Sequence, residues 1–313
     1  MTVLVTGATG FVGGRLLVAL QDAGHDVRAL TRDASKYDPP AGASVVEGDL
    51  LDRDSLDGVC EGVDTAYYLV HSMGSGPEFA ERDRRAAENF VAAAEDAGVE
   101  RIVYLGGLGE TGEDLSEHLQ SRREVESVLA SGTPDCTTLR AAIVVGAGSV
   151  SFRLISQLAG RLPMMITPKW VRTACQPIAI ADVIAYLVGV LDHPETAGET
   201  YEIGGPDVLT YQQMIEETAR QMGRNPIIVP VPVLSPSLSA YWVELVTDVP
   251  GTVARPLIRG VENPVVVTDD AIRSIVEIDR TPFAEAVATA LEATGDLAVS
   301  PADAASEGSD AGG

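Results

Sequence analysis

The chain begins with the stretch Val3-Leu4-Val5-Thr6-Gly7-Ala8-Thr9-Gly10-Phe11-Val12-Gly13-Gly14. Its apolar run predicts a buried strand, its glycine-spaced segment predicts a turn, and residues Arg15 to Ala23 predict a helix. Glycine lets the backbone turn tightly and approach a ligand closely, and the first turn of a helix presents unpaired N–H groups to an anion. The stretch therefore predicts a pyrophosphate cradle and a dinucleotide ligand. The alternative is a tight strand-to-helix turn that binds nothing.

The spacing of the glycines in this turn is Gly-x-x-Gly-x-x-Gly, which differs from the Gly-x-Gly-x-x-Gly of many dehydrogenases. The whole string from Thr6 to Gly13 resembles the short-chain dehydrogenase/reductase superfamily, in its extended and atypical branches. The resemblance implies a doubly wound parallel α/β sheet, a Rossmann fold, with a smaller C-terminal α/β lid region. The residues expected to contact the cofactor in this turn are Gly7, Thr9, Gly10, Phe11, Val12 and Gly13.

Composition and charge limit the classes of function. The 313 residues contain 46 acidic and 22 basic side chains, and Lys36 and Lys169 are the two lysines. Such a negative field disfavours nucleic acid and anionic membranes as partners. The acidic residues are spread along the chain, which favours a solvated acidic surface adapted to high salt over a binding site for one basic partner. Three separated cysteines and no long apolar run predict a cytoplasmic protein without a disulfide framework, a metal site or a membrane span.

The order of predicted elements divides the chain into three parts. Residues 1–146 alternate strands and helices, as a cofactor-binding doubly wound domain requires. Residues 147–294 are expected to form a substrate or lid region interleaved with the end of the sheet, including a loop at 163–168 and a helix at 237–247. Residues 295–313 are rich in Ala, Ser, Asp, Glu and Gly and are expected to form a disordered acidic tail.

Further cofactor contacts are expected at the ends of the next strands. Arg32 follows the second strand, where a guanidinium would bind the 2′-phosphate of NADP. Asp33 lies beside it, so NAD is an alternative cofactor. The Gly-Asp-Leu that includes Asp49 and Leu50 follows the third strand and resembles the superfamily's adenine contact, whereas the alternative for Asp49 is a turn residue. Leu69 and His71 follow the fourth strand, where His71 would bind cofactor or substrate, or cap the strand.

The superfamily's catalytic Tyr-x-x-x-Lys pair is absent. The matching register is His118-Leu119-Gln120-Ser121-Arg122, and Gly106-Gly107 stand where Ser-Ser is expected. In one interpretation His118 is the proton donor and Arg122 holds the nicotinamide ribose and lowers the pKa of His118. In the other, the chemistry has been lost and the fold survives as a nucleotide-binding module.

Three later segments extend the resemblance over about residues 1 to 230. They are Leu139-Arg140-Ala141-Ala142-Ile143-Val144-Val145-Gly146, Gln176-Pro177-Ile178-Ala179-Ile180-Ala181-Asp182-Val183, and Tyr201-Glu202-Ile203-Gly204-Gly205-Pro206. The combination is similar to the atypical subgroup of NmrA-like regulators, NAD(P)H-binding oxidoreductase-like proteins and complex I accessory-subunit-like proteins. It implies an NADP(H)-dependent oxidoreductase that acts on a small substrate.

Two alternatives to this function stay open. The first is a non-enzymatic NAD(P)H sensor or an assembly factor, with a protein partner in a redox complex. The second is a sugar-nucleotide epimerase or dehydratase, which the missing Tyr and Lys disfavour. Apolar residues of the lid region could line a substrate pocket or form ordinary core, and Arg172 could receive an anionic substrate group; the apolar candidates are Phe152, Leu158, Met164, Met165 and Trp170.

Overall fold

The computed structural model describes residues 1–71, 77–109, 117–161, 164–167, 169–230, 248 and 263–296. Its centre is a seven-stranded sheet in which every neighbouring pair of strands is parallel. The strands of this sheet are β1 (Thr2–Val5), β2 (Asp26–Thr31), β3 (Ser44–Glu47), β4 (Thr65–Tyr68), β5 (Arg101–Gly107), β6 (Asp135–Ala141) and β11 (Thr200–Ile203). Their spatial order is β11-β6-β5-β4-β1-β2-β3. Strands β2 and β3 are added on one side of β1 and strands β4 onward on the other, so the strand order reverses between β1 and β4.

Helices cover both faces of the sheet. The seven helices of the described residues are α1 (Gly13–Asp22), α2 (Pro77–Ala97), α3 (Glu117–Ala130), α4 (Val150–Arg161), α5 (Ile180–Gly189), α6 (Tyr211–Gln221) and α7 (Phe283–Thr294). One apolar core contains α1, α5 and one face of the sheet, and a second contains α2, α3 and the other face. Because both faces are buried, the central strand β1 is a run of apolar residues from Val3 to Val5, as is typical of parallel sheets. The predicted doubly wound fold is confirmed.

The C-terminal region has a core of its own. Helices α4, α6 and α7 surround buried side chains that include Phe152, Leu158 and Met165. These three candidates for a substrate pocket are therefore core residues, because they belong to one buried apolar cluster. Met164 is exposed, and the side chain of Trp170 lies outside the described residues.

Three two-stranded pairings complete the described sheets. The remaining strands are β7 (Val144–Val145), β8 (Met164–Thr167), β9 (Ala174–Cys175), β10 (Ile178–Ala179), β12 (Leu209–Thr210) and β13 (Ile227–Pro230). Strand β7 pairs with β10, β9 with β12 and β8 with β13. The loop predicted at 163–168 was wrong over 164–167, because β8 pairs in parallel with β13 about sixty residues later. The predicted helix at 237–247 and most of the predicted tail, from 297 onward, lie outside the described residues.

Candidate cofactor and active site

The glycine turn between β1 and α1 is built on backbone contacts that leave no room for side chains. Gly7 has a φ of +66°, a left-handed conformation that side chains disfavour, and a Cβ there would lie 2.9 Å from the carbonyl oxygen of Leu69. A Cβ on Gly13 would lie 2.2 Å from the carbonyl oxygen of Gly7. The amide of Gly10 donates to that same oxygen at 2.9 Å. The turn is therefore packed tightly between the end of β4 and the start of α1.

The start of α1 leaves backbone donors available. Val12 precedes the helix and supplies no side-chain cap. The N–H groups of Phe11, Val12 and Gly13 find no acceptor among the residues that the structure describes. Unpaired donors at the positive end of a helix dipole stabilise a bound anion such as a diphosphate.

A cleft of about 800 Å³ lies along the carboxyl ends of the central strands. This edge, at the point where the strand order reverses, is where doubly wound sheets bind ligands. Eight of the predicted cofactor residues line the cleft: Gly7, Thr9, Gly10, Arg32, Asp49, Leu50, Leu69 and His71. Phe11, Val12 and Gly13 are not part of its lining. The ring of Phe11 instead lies against Gly146 and Gly148, with the guanidinium of Arg15 stacked 4.7 Å from its centre.

The cleft beyond β2 contains two residues that the sequence analysis did not assign to the cofactor, Lys36 and Tyr37. Lys36 Nζ lies 2.6 Å from Asp33 Oδ2, while Asp33 Oδ1 accepts bonds from both the amide and the hydroxyl of Ser35. The ammonium of Lys36 and then the bonds from Ser35 hold the pKa of Asp33 below its usual value. Arg32 is exposed at the same end and pairs with no residue that the structure describes.

Asp49 and Leu50 lie where β3 ends, as predicted, and both are engaged with the protein. Asp49 Oδ1 accepts the amide of Leu51 at 3.0 Å, so this carboxylate does form the turn that was the alternative interpretation. Leu50 is buried, and its carbonyl oxygen accepts a bond from the side-chain amide of Asn89 at 2.8 Å. The turn positions both residues at the cleft, and their contact with adenine stays a prediction.

His71 connects the end of β4 to α2. Its Nδ1 lies 3.6 Å from Oδ2 of Asp83, a buried carboxylate that also lines the cleft. Burial, followed by the positive charge of Arg122, lowers the pKa of His71 to about 4, although the Asp83 carboxylate acts in the opposite direction. The imidazole is therefore neutral at physiological pH, with one ring nitrogen that donates a hydrogen bond and one that accepts.

The two predicted catalytic residues both belong to the first part of α3. The side chain of His118 lies outside the described residues. Arg122 is half-buried beside the end of β5, where a Cβ on Gly107 would lie 3.1 Å from its Cδ and 3.8 Å from its Nη1. The glycine that replaces the superfamily's serine thus provides the space that the Arg122 side chain occupies.

This geometry agrees with the comparison with known families. The model of the NmrA-like family matches residues 1–236, about three quarters of the chain. The chain belongs to the NmrA-like family. The family match confirms the resemblance that the sequence analysis stated for this NmrA-like protein.

This NmrA-like protein is similar to two curated relatives and to one solved structure. The (4-alkanoyl-5-oxo-2,5-dihydrofuran-3-yl)methyl phosphate reductase of Streptomyces griseus is 30% identical over 230 residues, which are 71% of this chain and 74% of the relative. The mitochondrial NADH dehydrogenase (ubiquinone) 1 alpha subcomplex subunit 9 of Arabidopsis thaliana is 25% identical over 285 residues, 86% of this chain and 70% of the relative. The Bordetella bronchiseptica enzyme WbmH, solved in complex with NAD+, has a TM-score of 0.68 at 18% identity and covers 93% of this chain and 97% of its own.

The structure also bears on the expected absence of a membrane span. Within the described ranges, the helices of this NmrA-like protein are too short or too polar to cross a bilayer.

Proposed function

We propose that this protein is an NADP(H)-dependent oxidoreductase that acts on a small substrate. The observation that carries the proposal is the turn at the end of β1, where Gly7 and Gly13 leave no room for a Cβ and which borders one cleft whose lining includes Arg32 and His71. The reductase from Streptomyces griseus supports an oxidoreductase function, and the NAD+ bound to a protein of the same fold supports a nicotinamide cofactor. In this proposal residues 1–146 hold the cofactor and residues 147–294 cover the substrate.

The residues of the cleft fit a dinucleotide. The amides at the start of α1 would hold the diphosphate, because they are unpaired donors in a turn where a Cβ at Gly13 cannot be accommodated. Asp49 and Leu50 would lie at the adenine, and His71 at the opposite end of the cleft. When bound, a reduced nicotinamide supplies a hydride, which a substrate carbon accepts with its electron pair while the substrate oxygen gains a proton.

The environment of Asp33 favours NADP over NAD. An acidic residue at the end of β2 selects NAD by accepting a bond from the ribose 2′-OH. Here both carboxylate oxygens of Asp33 already bind Ser35 and Lys36, whereas the neighbouring Arg32 has no partner among the described residues. A guanidinium that is exposed and unpaired at this point matches a 2′-phosphate.

Replacement of Arg32 tests the preference for NADP. We expect Arg32→Gln to weaken the binding of NADPH roughly 10- to 100-fold, the effect of losing a charge-assisted hydrogen bond, and to change the binding of NADH by less than about twofold. Isothermal titration calorimetry measures both affinities. Arg224→Gln is the matched control, because Arg224 is also exposed and unpaired in the described structure but lies outside the cleft. An equal loss for both nucleotides would contradict the assignment.

A second function, a nucleotide-binding subunit without turnover, is supported by Gly107. The glycine leaves the end of β5 without the serine hydroxyl that the superfamily uses to bind the substrate oxygen, and the relative from Arabidopsis thaliana is named as a subunit of NADH dehydrogenase. Oxidation of NADPH in the presence of a panel of carbonyl compounds separates the two functions. If the protein is a reductase with His118 as proton donor, His118→Ala abolishes turnover and preserves NADPH binding. NADPH binding without turnover of any compound, together with a stable protein complex, would favour the subunit.

A further inference from the structure

Arg122 differs from every other arginine in the described part of the chain. Several arginine side chains there form no hydrogen bond or ion pair with a described residue: those of Arg32, Arg82, Arg85, Arg122, Arg153, Arg172 and Arg224. All of them except Arg122 are exposed to solvent, which compensates for the missing partner. Arg122 is half-buried, and its Nε is shielded from water without an acceptor. A buried N–H donor without an acceptor costs free energy, so a missing partner for this nitrogen is indicated.

The position of Arg122 shows where that partner would lie. The side chain passes over Gly107 at the carboxyl end of β5, within van der Waals distance of the space that a Cβ would take. Its positive charge acts on His71, after β4, and on Tyr104 in β5. It lowers the pKa of His71 together with burial, and it lowers the pKa of Tyr104 against the effect of burial. Arg122 is not part of the cleft lining, but it lies at the carboxyl end of β5, next to β4, after which His71 lines the cleft.

A second unpaired polar group precedes Arg122 in the same helix. Ser121 is 2% exposed, and its Oγ forms no hydrogen bond with the described residues. A buried hydroxyl without a partner also costs free energy. Neighbouring Ser121 and Arg122 thus both leave polar atoms unsatisfied in the first half of α3.

We propose that Arg122 binds an oxyanion group of the substrate, a carboxylate or a phosphate, so that the substrates are carbonyl compounds that carry such a group. This inference rests on the proposed function and specifies its substrate class. A guanidinium forms paired hydrogen bonds with two anionic oxygens. Gly107, which has no Cβ, leaves room for the side chain that carries it. Arg172, which the sequence analysis considered for this role, is exposed to solvent, whereas Arg122 is half-buried.

Matched pairs of carbonyl compounds test the inference in the full-length protein. Levulinate is compared with its methyl ester, and dihydroxyacetone phosphate with dihydroxyacetone, each with saturating NADPH. We expect kcat/KM to be roughly 10- to 100-fold higher for the charged member of at least one pair, and the pair that shows it distinguishes carboxylate from phosphate. Arg122→Gln should bring the charged member down to the level of its neutral partner, whereas Arg122→Lys should retain part of the preference. Arg224→Gln is the control and should retain all of it.

The readouts separate this inference from the proposed function. If none of the compounds is turned over, levulinate and dihydroxyacetone phosphate are titrated calorimetrically into the complex with NADP+, or into the unliganded protein if no nucleotide binds. Binding that Arg122→Gln abolishes supports the inference even if the enzymatic proposal fails. The inference is overturned if wild type shows no preference and no binding of either anion. It is also overturned if Arg122→Gln weakens NADPH binding tenfold or more, since Arg122 would then bind the cofactor.

Discussion

At the scale of single residues, two glycines determine the site through the side chains that they lack. Gly13 allows the carbonyl oxygen of Gly7 to approach the start of α1, and Gly107 allows Arg122 to extend over the end of β5. In the first case the result is a tight turn with unpaired amides, and in the second a cation at the carboxyl end of β5. Neither glycine has a positive φ, so the requirement comes from crowding and not from backbone conformation.

Substitution of Gly13 tests this crowding directly. We expect Gly13→Ala to lower the free energy of unfolding by about 1–3 kcal/mol, because its Cβ would meet a backbone atom that cannot move freely. We also expect NADPH affinity to fall at least about tenfold, since the turn must open to admit the Cβ. Gly14→Ala is the control: its Cβ would lie 3.5 Å from the nearest atom, and alanine favours a helix. Urea unfolding and calorimetry measure both effects, and equal behaviour of the two variants would contradict the explanation.

At the scale of elements, the pair formed by His71 and Asp83 attaches the end of β4 to α2. The imidazole is largely buried between these elements and faces a cation, Arg122, as well as the carboxylate. Since burial and Arg122 outweigh Asp83, the folded protein holds His71 in its neutral form. Protonation of His71 is therefore disfavoured in the folded protein, which couples folding to pH.

The stability of the protein should reflect this dependence between pH 7 and pH 5. The unfolded chain takes up a proton on His71 below its ordinary pKa of 6.5, whereas the folded chain takes it up only near pH 4, so stability falls as the pH falls. We expect His71→Gln to remove about 1–2 kcal/mol of the loss that wild type shows between these values. Urea unfolding at both pH values measures it. His193→Gln, at a histidine paired with Glu195, is the control, and an unchanged pH dependence in His71→Gln would contradict the assignment.

At the scale of the whole molecule, the formal net charge of −24 is the dominant feature. Like charges repel one another more strongly in the compact state than in the extended chain, so the charge destabilises the fold. The acidic residues are distributed along the whole sequence, and salt screens interactions between exposed charges. The surface composition thus predicts a protein whose fold is stabilised by salt.

Thermal unfolding at low ionic strength tests this prediction. Raising NaCl from about 0.02 to about 0.3 M shortens the screening length from roughly 20 to roughly 6 Å, and we expect the unfolding temperature to rise over this range. Sodium sulfate at equal ionic strength is the control, because screening depends on ionic strength and not on the identity of the salt. A flat response would show that the repulsion is unimportant, and a rise with sulfate alone would assign it to burial of apolar surface.

Eight residues that line the cleft could be predicted from the sequence, because they lie in the glycine turn or shortly after strands. Arg32, Asp49 and His71 each come at a strand end, and parallel strands bring their carboxyl ends to one edge. The partners of these residues could not be predicted in the same way. Lys36 forms an ion pair with Asp33, and Asp83, in α2, lies beside His71. These pairs became visible only from distances in the folded chain.

The sequence by itself determined the doubly wound fold and the glycine turn, because both depend on local patterns: apolar strands, helical periodicity and residues that tolerate a tight backbone. Only the tertiary structure decided the pairing of β8 with β13 and the placement of Arg122 over Gly107. Both are contacts between residues that are distant in the chain. Such contacts depend on how completed elements pack against one another, and no local pattern specifies that packing.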